Sequence, residues 1–203
     1  MSNPQLKARI AANLAGFPRR EITAEGRRLA AVAVVISPFQ GESTFVLTRR
    51  ALTMRRNAGN YALPGGNLDP GETPFEGALR ETAEELGVSL PPDAAMGLLD
   101  DFVTLGGHRV TPVVLWSDAE LVLNPDPVEV HAAWRIPLAE LDDPRSPRRR
   151  KHTGSSDPIL QMRLNGGWVN APTAAWIYQF REVALHGRAT RLDGVGQPAW
   201  TAR

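Results

Sequence analysis

Glu81, Glu84 and Glu85 are the residues whose type and spacing could do chemistry, standing at i, i+3 and i+4 in the segment PFEGALRETAEEL, Pro74 to Leu86. In a helix each residue turns about 100° from the last, so the three carboxylates lie side by side on one arc. The neighbouring arc holds Phe75, Ala78, Leu79, Thr82 and Leu86, which can face a core. Like charges on adjacent turns repel. Either the acids form a solvated outward face, or a cation collects them, and hard carboxylate oxygens suit Mg2+ or Mn2+. The ends of the helix are well marked. Thr73 fits an N-cap with Glu76 three residues on, Pro74 takes the first helical position, and Gly87 suits a left-handed C-terminal residue.

The register around the glutamates narrows the choice. Gly66 to Val88, GNLDPGETPFEGALRETAEELGV, is similar to the Nudix box, G-x5-E-x7-R-E-U-x-E-E-x-G-U with U bulky and aliphatic. Gly66, Glu72, Arg80, Glu81, Glu84, Glu85, Gly87 and Val88 fall in place, and Thr82 stands at one aliphatic position. The resemblance implies an α+β fold, an α/β/α sandwich with a mixed sheet and a loop-helix-loop motif. It implies Mg2+ or Mn2+ held by Glu81, Glu84, Glu85 and the carbonyl of Gly66, and hydrolysis of a diphosphate in a small molecule. A box glutamate, Glu81 or Glu84, or an acid from another loop, Glu129, serves as the base. Glu72 and Arg80 act in support by pinning the loop to the helix. Gly65 and Gly66 let the backbone bend tightly near the metal. The glycines are followed by no Lys-Ser or Lys-Thr, so a Walker A phosphate loop is excluded.

Upstream, VLTRRALTMRRNAGNYALPGG (Val46 to Gly66) resembles the signature of the coenzyme A pyrophosphatase branch, L-L-T-K-R-(S/A)-x3-R-x3-G-x3-F-P-G-G. Coenzyme A carries a 3′-phosphate beside its diphosphate, and guanidinium groups bind phosphate oxygens in pairs. Arg50 and Arg55 are therefore candidate phosphate contacts. The resemblance implies cleavage of coenzyme A or acyl-coenzyme A to adenosine 3′,5′-bisphosphate and a 4′-phosphopantetheine. Near the C-terminus relatives of this branch carry I-W-G-x-T-A, whereas the chain reads Trp168-Val169-Asn170-Ala171-Pro172-Thr173-Ala174. That departure keeps other substrates open: ADP-ribose, a dinucleotide or a capped RNA. A ligand-binding domain without turnover is a further alternative.

These residues need a scaffold, and the chain spells one out. Leu6, Ile10 and Leu14 recur every four residues before Gly16 and Pro18, a short amphipathic helix with a stop. LAAVAVVI (Leu29 to Ile36) and TFVLT (Thr44 to Thr48) read as buried strands of a hairpin. LLDDFVTL and RVTPVVLW flank Gly106-Gly107-His108 as a second hairpin, and VEVHAAWRI is a further strand before the turn of PLAEL. The stretch Asp142 to Asp157, with PRSPRRRK inside it, has no periodicity and reads as a loop, with Arg-rich residues 145–151 given no role. ILQMRL and WVN follow as strands around Asn165-Gly166-Gly167. A last helix starting near Pro172 presents Trp176, Ile177, Phe180, Val183 and Ala184 on one face. The order α, strands, α, strands, α is that of an α+β layered domain. The expected organisation is a helix and lead-in over 1–28, the Nudix domain over 29–187 and a tail over 188–203.

Bulk properties leave this reading room. The 203 residues suit one domain, and 42% hydrophobic with 22% charged residues is the balance of a globular chain. A net charge of +1 gives no global pull toward nucleic acid or an anionic membrane, so nucleic acid is disfavoured as a partner. Zero cysteines exclude disulfides, thiolate zinc sites and a cysteine nucleophile. The four histidines lack metal-ligand spacing, although His108 at a hairpin tip could reach a ligand. The longest apolar run is too short to span a bilayer, and a cytoplasmic protein is the simplest expectation, with a homodimer left open.

Overall fold

The computed structural model describes residues 3–24, 26–54, 57–151 and 157–202. Helix α1 (Pro4–Ala15) is capped by Asn3, whose side chain accepts from the Leu6 amide. Strands β1 (Arg28–Phe39) and β2 (Glu42–Arg50) run past the apolar segments that announce them. Their connection is only Gln40 and Gly41, both at positive φ. Short strands β3 (Tyr61–Ala62) and β4 (Gly65–Asn67) then pair with β2 and β1. Helix α2 (Pro74–Leu86) has the expected limits: Thr73 and Glu76 form a reciprocal capping box and Gly87 is left-handed at φ 65°.

The stretch expected as one strand before the Gly106-Gly107 turn is divided into β5 (Ala95–Leu98) and β6 (Phe102–Val103), both antiparallel to β7 (His108–Trp116). The break falls at Asp100 and Asp101, whose carboxylates accept the amides of Arg20 and Ile22. Strand β8 (Val130–Pro137) pairs with β2 and leads into a single 3-10 segment, Leu138–Asp142. The Arg-rich stretch is not all loop. Arg148–Arg150 form β9, the edge of a second antiparallel sheet with β10 (Ile159–Leu164) and β11 (Gly167–Asn170). Its side chains are exposed, so no apolar alternation marked it; backbone pairing to β10 makes the strand. Helix α3 (Thr173–Phe180) continues as one π-helical turn, Arg181–Leu185.

The main sheet runs β3-β2-β1-β7-β5, with β4, β6 and β8 attached at its margins, and only the central pair β1 and β7 is parallel. The unbroken apolar run of β1 is explained by burial on both faces. Ala30, Val32, Val34 and Ile36 join the core of α1, α3 and the small sheet, while Ala31, Ala33 and Val35 pack under α2 with Ala78 and Leu86. The fold is thus α+β, one mixed sheet between two helical layers. Ile10 and Leu14 at one end of the chain, and Leu192 and Val195 at the other, enter the same core. No helix among the described residues is long and apolar enough to cross a membrane.

Candidate active site

The three glutamates are not equivalent. Glu84 is exposed as expected, but Glu81 and Glu85 turn inward and retain only 9% and 4% of their exposure. The outward-facing reading fails for these two because the neighbouring strand offers no side chains to keep them out. That strand is β4, whose first two residues are glycines lying flat against β1, Gly65 opposite Val32 and Gly66 opposite Ala31. A Cβ on Gly66 would enter the Glu81 carboxylate, and one on Gly65 would enter the backbone of Ala31 and Val32. Two bare residues bring the backbone to the carboxylates.

Burial pushes the Glu85 carboxyl up to about 8; the Arg50 charge opposes this, Glu81 and Glu129 add to it, and a hydrogen bond from the Gly65 amide opposes it. Glu81 is raised by burial first, against the hydrogen bond from Arg80, with Glu84 and Glu129 adding repulsion. Glu129 is itself exposed, at the turn before β8, where its carbonyl accepts the Ala51 amide. Its field reaches both buried acids.

Arg80 organises the cluster. Its Nε and Nη2 donate to the two oxygens of Glu72 at 2.9 and 3.0 Å, and Nη2 also donates to the Asn67 carbonyl at 2.9 Å. Nη1 bridges Glu81 and Glu84 at 2.9 Å each. The same pair holds the Glu72 carboxyl below its ordinary value, Arg80 being the main cause. Glu72 in turn accepts the Asp69 amide, which closes the loop before α2. With Glu84 drawn to Arg80, no group of three acids or imidazoles among the described residues closes on a single point. The donor set nonetheless fits a hard divalent cation: two buried carboxylates side by side, a third within the same turn, and the Gly66 backbone flush against one of them.

On the other side of β4 a cleft of about 820 Å3 opens between the sheet and the layer of α3 and β11. Gly65, Gly66 and Arg50 line its end nearest the glutamates. Arg50 Nε is buried and has no hydrogen-bond partner. Arg55, the other expected phosphate contact, lies outside the described residues. The segment that departs from the branch pattern supplies one wall through Trp168, Asn170 and Thr173, and His108 lines the far end. Asn57, Trp176 and Trp200 also line the cleft without having been singled out in the sequence. Trp176 reads there as one member of a helix face.

A family model described as the NUDIX domain matches residues 27–155, more than half of the chain. The chain belongs to the Nudix family. Among curated Nudix relatives, Nudix hydrolase 3 of Caenorhabditis elegans is 35% identical over 130 residues, covering 61% of this chain and 53% of that protein. An uncharacterized Nudix hydrolase, NudL, of Cronobacter sakazakii is 36% identical over 126 residues, covering 61% of this chain and 64% of that protein. The chain therefore spans only about half to two thirds of the length of these relatives. The crystal structure of a MutT/nudix family protein from Enterococcus faecalis aligns with a TM-score of 0.52 at 17% identity, over 80% of this chain and 64% of that one, a likeness of fold. The mixed sheet clasped by helices is the Nudix fold.

Proposed function

We propose that this Nudix domain hydrolyses the diphosphate bond of coenzyme A or an acyl-coenzyme A, using Mg2+ or Mn2+ held by Glu81, Glu84, Glu85 and the Gly66 carbonyl. The observation that carries the hydrolytic reading is the burial of Glu81 and Glu85 against β4, whose Gly65 and Gly66 also line a cleft together with Arg50, an arginine whose charge acts on Glu85 and whose buried Nε has no hydrogen-bond partner. Two phosphoryl groups repel an attacking water, and a bound divalent cation supplies charge neutralisation and a more acidic water there. The chain's own residues do the rest. Arg50 meets a phosphate oxygen, with Arg55 as a second candidate contact. Glu72 and Arg80 fix the loop of Gly66 against α2. A box glutamate, Glu81 or Glu84, or Glu129 from the turn before β8, takes the proton of the water. The Val46–Gly66 likeness supports coenzyme A as substrate. The helix and lead-in over 1–28 and the tail over 188–203 are proposed as additions packed onto the Nudix domain of 29–187.

Incubation with coenzyme A and Mg2+, with and without EDTA, tests the reading. Adenosine 3′,5′-bisphosphate and 4′-phosphopantetheine should form only when the metal is free. No product under any metal condition would refute it. A second substrate class, another nucleoside diphosphate derivative such as ADP-ribose, a dinucleotide or a capped RNA, is favoured by one observation: the altered Trp168–Thr173 segment lines the cleft. A side-by-side substrate panel separates the two.

A further inference from the structure

The diphosphate reading leaves PRSPRRRK without a role. As a string it lacks the interleaved aromatic side chains that grip single-stranded nucleic acid, and it has the composition of a solvated face. Folding gives it different neighbours. Strand β9 forms the edge of the small sheet, with Arg148 opposite Gln161 and Arg150 opposite Ile159. Side chains alternate along a strand, so Arg148 and Arg150 share one face, about 7 Å apart. Arg149 turns to the other face, where its Nη1 donates to the Gly194 carbonyl at 3.2 Å.

The aromatic ring missing from the string is supplied by β11. On the face of Arg148 and Arg150, β10 contributes Gln161 and Arg163, and β11 contributes Trp168 and Asn170. The Arg148 guanidinium lies 3.5 Å from the centroid of the Trp168 ring, and that of Arg163 lies 5.9 Å from it. Arg148 Nε donates to Gln161 Oε1 at 2.7 Å, and Gln161 Nε2 donates in turn to Asn170 Oδ1. Contacts across three strands thus hold one guanidinium in place, with its Nη1 and Nη2 groups at the end of an exposed side chain. Arg145, Arg150 and Lys151 add exposed positive charge. Asp143 offsets part of it, pairing with Arg145 at 2.6 Å and with Arg163 at 3.8 Å. A chain of net charge +1 therefore gathers a local positive field on one face.

We propose that this face of the small sheet is a track for single-stranded nucleic acid, with Arg148 and Arg150 on neighbouring phosphates and a base stacked on the Arg148 guanidinium above Trp168. Guanidinium groups bind phosphate oxygens in pairs, and both aromatic rings and guanidinium planes accept an unpaired base. An added peptide strand fits the edge poorly: β9 is three residues long and starts just after Pro147, which has no amide hydrogen. A membrane surface or a protein partner would call for apolar anchors. The large apolar side chains left exposed among the described residues, Leu52, Leu105, Val122, Val128 and Trp200, all belong to other elements. The proposal uses none of the residues assigned to the diphosphate.

Fluorescence anisotropy of the full chain in EDTA, where no turnover occurs, tests the track. The probe is a labelled oligouridylate of about twelve nucleotides, with polyglutamate of equal charge as the comparison. Two phosphate contacts predict that log affinity falls with log salt at a slope of about −1.4 or steeper. Arg150→Ala should flatten that slope by about 0.7 and leave coenzyme A cleavage at the parental rate. Arg148→Lys keeps the charge but loses the plane, so it should weaken binding by roughly fivefold or more with the slope retained. Arg150, exposed at the end of β9, keeps the test open if the Arg148 variant disturbs the sheet. No binding of oligouridylate at low salt would overturn the track, and so would undiminished binding by both variants. Polyglutamate binding as tightly as oligouridylate would overturn it in favour of an acidic protein partner. Failure to cleave coenzyme A with oligouridylate binding intact would remove the hydrolytic reading alone.

Discussion

Glu81 and Glu85 are carboxylates in a place where ionised carboxylates are costly, and Arg80 and Arg50 answer that cost only in part. Replacing Glu85 with Gln should cut hydrolysis by at least about a hundredfold, since altering even the partners of a metal ligand costs up to that much. In metal-free buffer the same variant should melt no lower than the parent, because a neutral amide escapes the desolvation that raises the Glu85 carboxyl, and with it the repulsion from Glu81 and Glu129. Full activity in a coenzyme A assay would sink the ligand assignment. Arg80→Lys keeps a charge but loses the fork that spans Glu72, Glu81 and Glu84. Steady-state kinetics should show a loss of roughly 10- to 100-fold with an unchanged circular dichroism spectrum; unaltered kinetics would show that the fork is dispensable. The Glu72 carboxyl, held below its ordinary value of 4.5 by Arg80, also carries a pH signature. A depressed acid contributes stability that is complete above 4.5 and is lost as the pH falls through the lowered folded value. Denaturation curves of parent and Glu72→Gln should therefore differ at neutral pH and converge on acidification below 4.5. A gap that widens on acidification would contradict the sign.

At the scale of elements, β4 is the thin partition between α2 and the cleft, and its thinness rests on Gly65 and Gly66. Gly65→Ala drives a methyl group into the backbone of β1, so it should cost about 1–3 kcal/mol or more in chemical denaturation. A neutral result would mean that β4 can retreat from β1. Helix α2 was legible to the residue, because its ends are set by local chemistry: the Thr73 and Glu76 box, Pro74 and the left-handed Gly87. The double burial of β1 was legible from its unbroken apolar run. What escaped reading depended on partners distant in sequence. Strand β9 exists through pairing with β10 and shows no pattern of its own; the break between β5 and β6 depends on Arg19, Arg20 and Arg191 meeting Asp100 and Asp101. Likewise, spacing placed three glutamates on one arc but not the glycine strand that decides which of them are buried. The lining of the cleft comes from five separate segments, and no window of sequence contains it.

Across the whole molecule, Asp101 is the knot that ties the N-terminal lead-in to the sheet. Its buried carboxylate accepts from Arg19 Nη2 at 2.6 Å, Thr111 Oγ1 at 2.6 Å and the Ile22 amide at 3.0 Å. Asp101→Ala would strand buried donors, and equilibrium unfolding should show a loss of about 3–5 kcal/mol. A loss within half a kcal/mol would mean that water replaces the carboxylate. The parallel pairing of β1 with β7 has a consequence for how the chain reaches this state. Arg28 pairs with His108 and Ile36 with Trp116, so the centre of the sheet closes a loop that contains all of α2. Contacts so distant along the chain are slow to form, because loop closure must precede any gain from pairing. The capped helix can form and dissolve locally on a microsecond scale, but Glu81 and Glu85 meet their final surroundings only when β4 lies against β1 in the closed sheet. Stopped-flow refolding should accordingly show the helical signal of α2 ahead of the single slower step in which the core closes and catalytic competence appears.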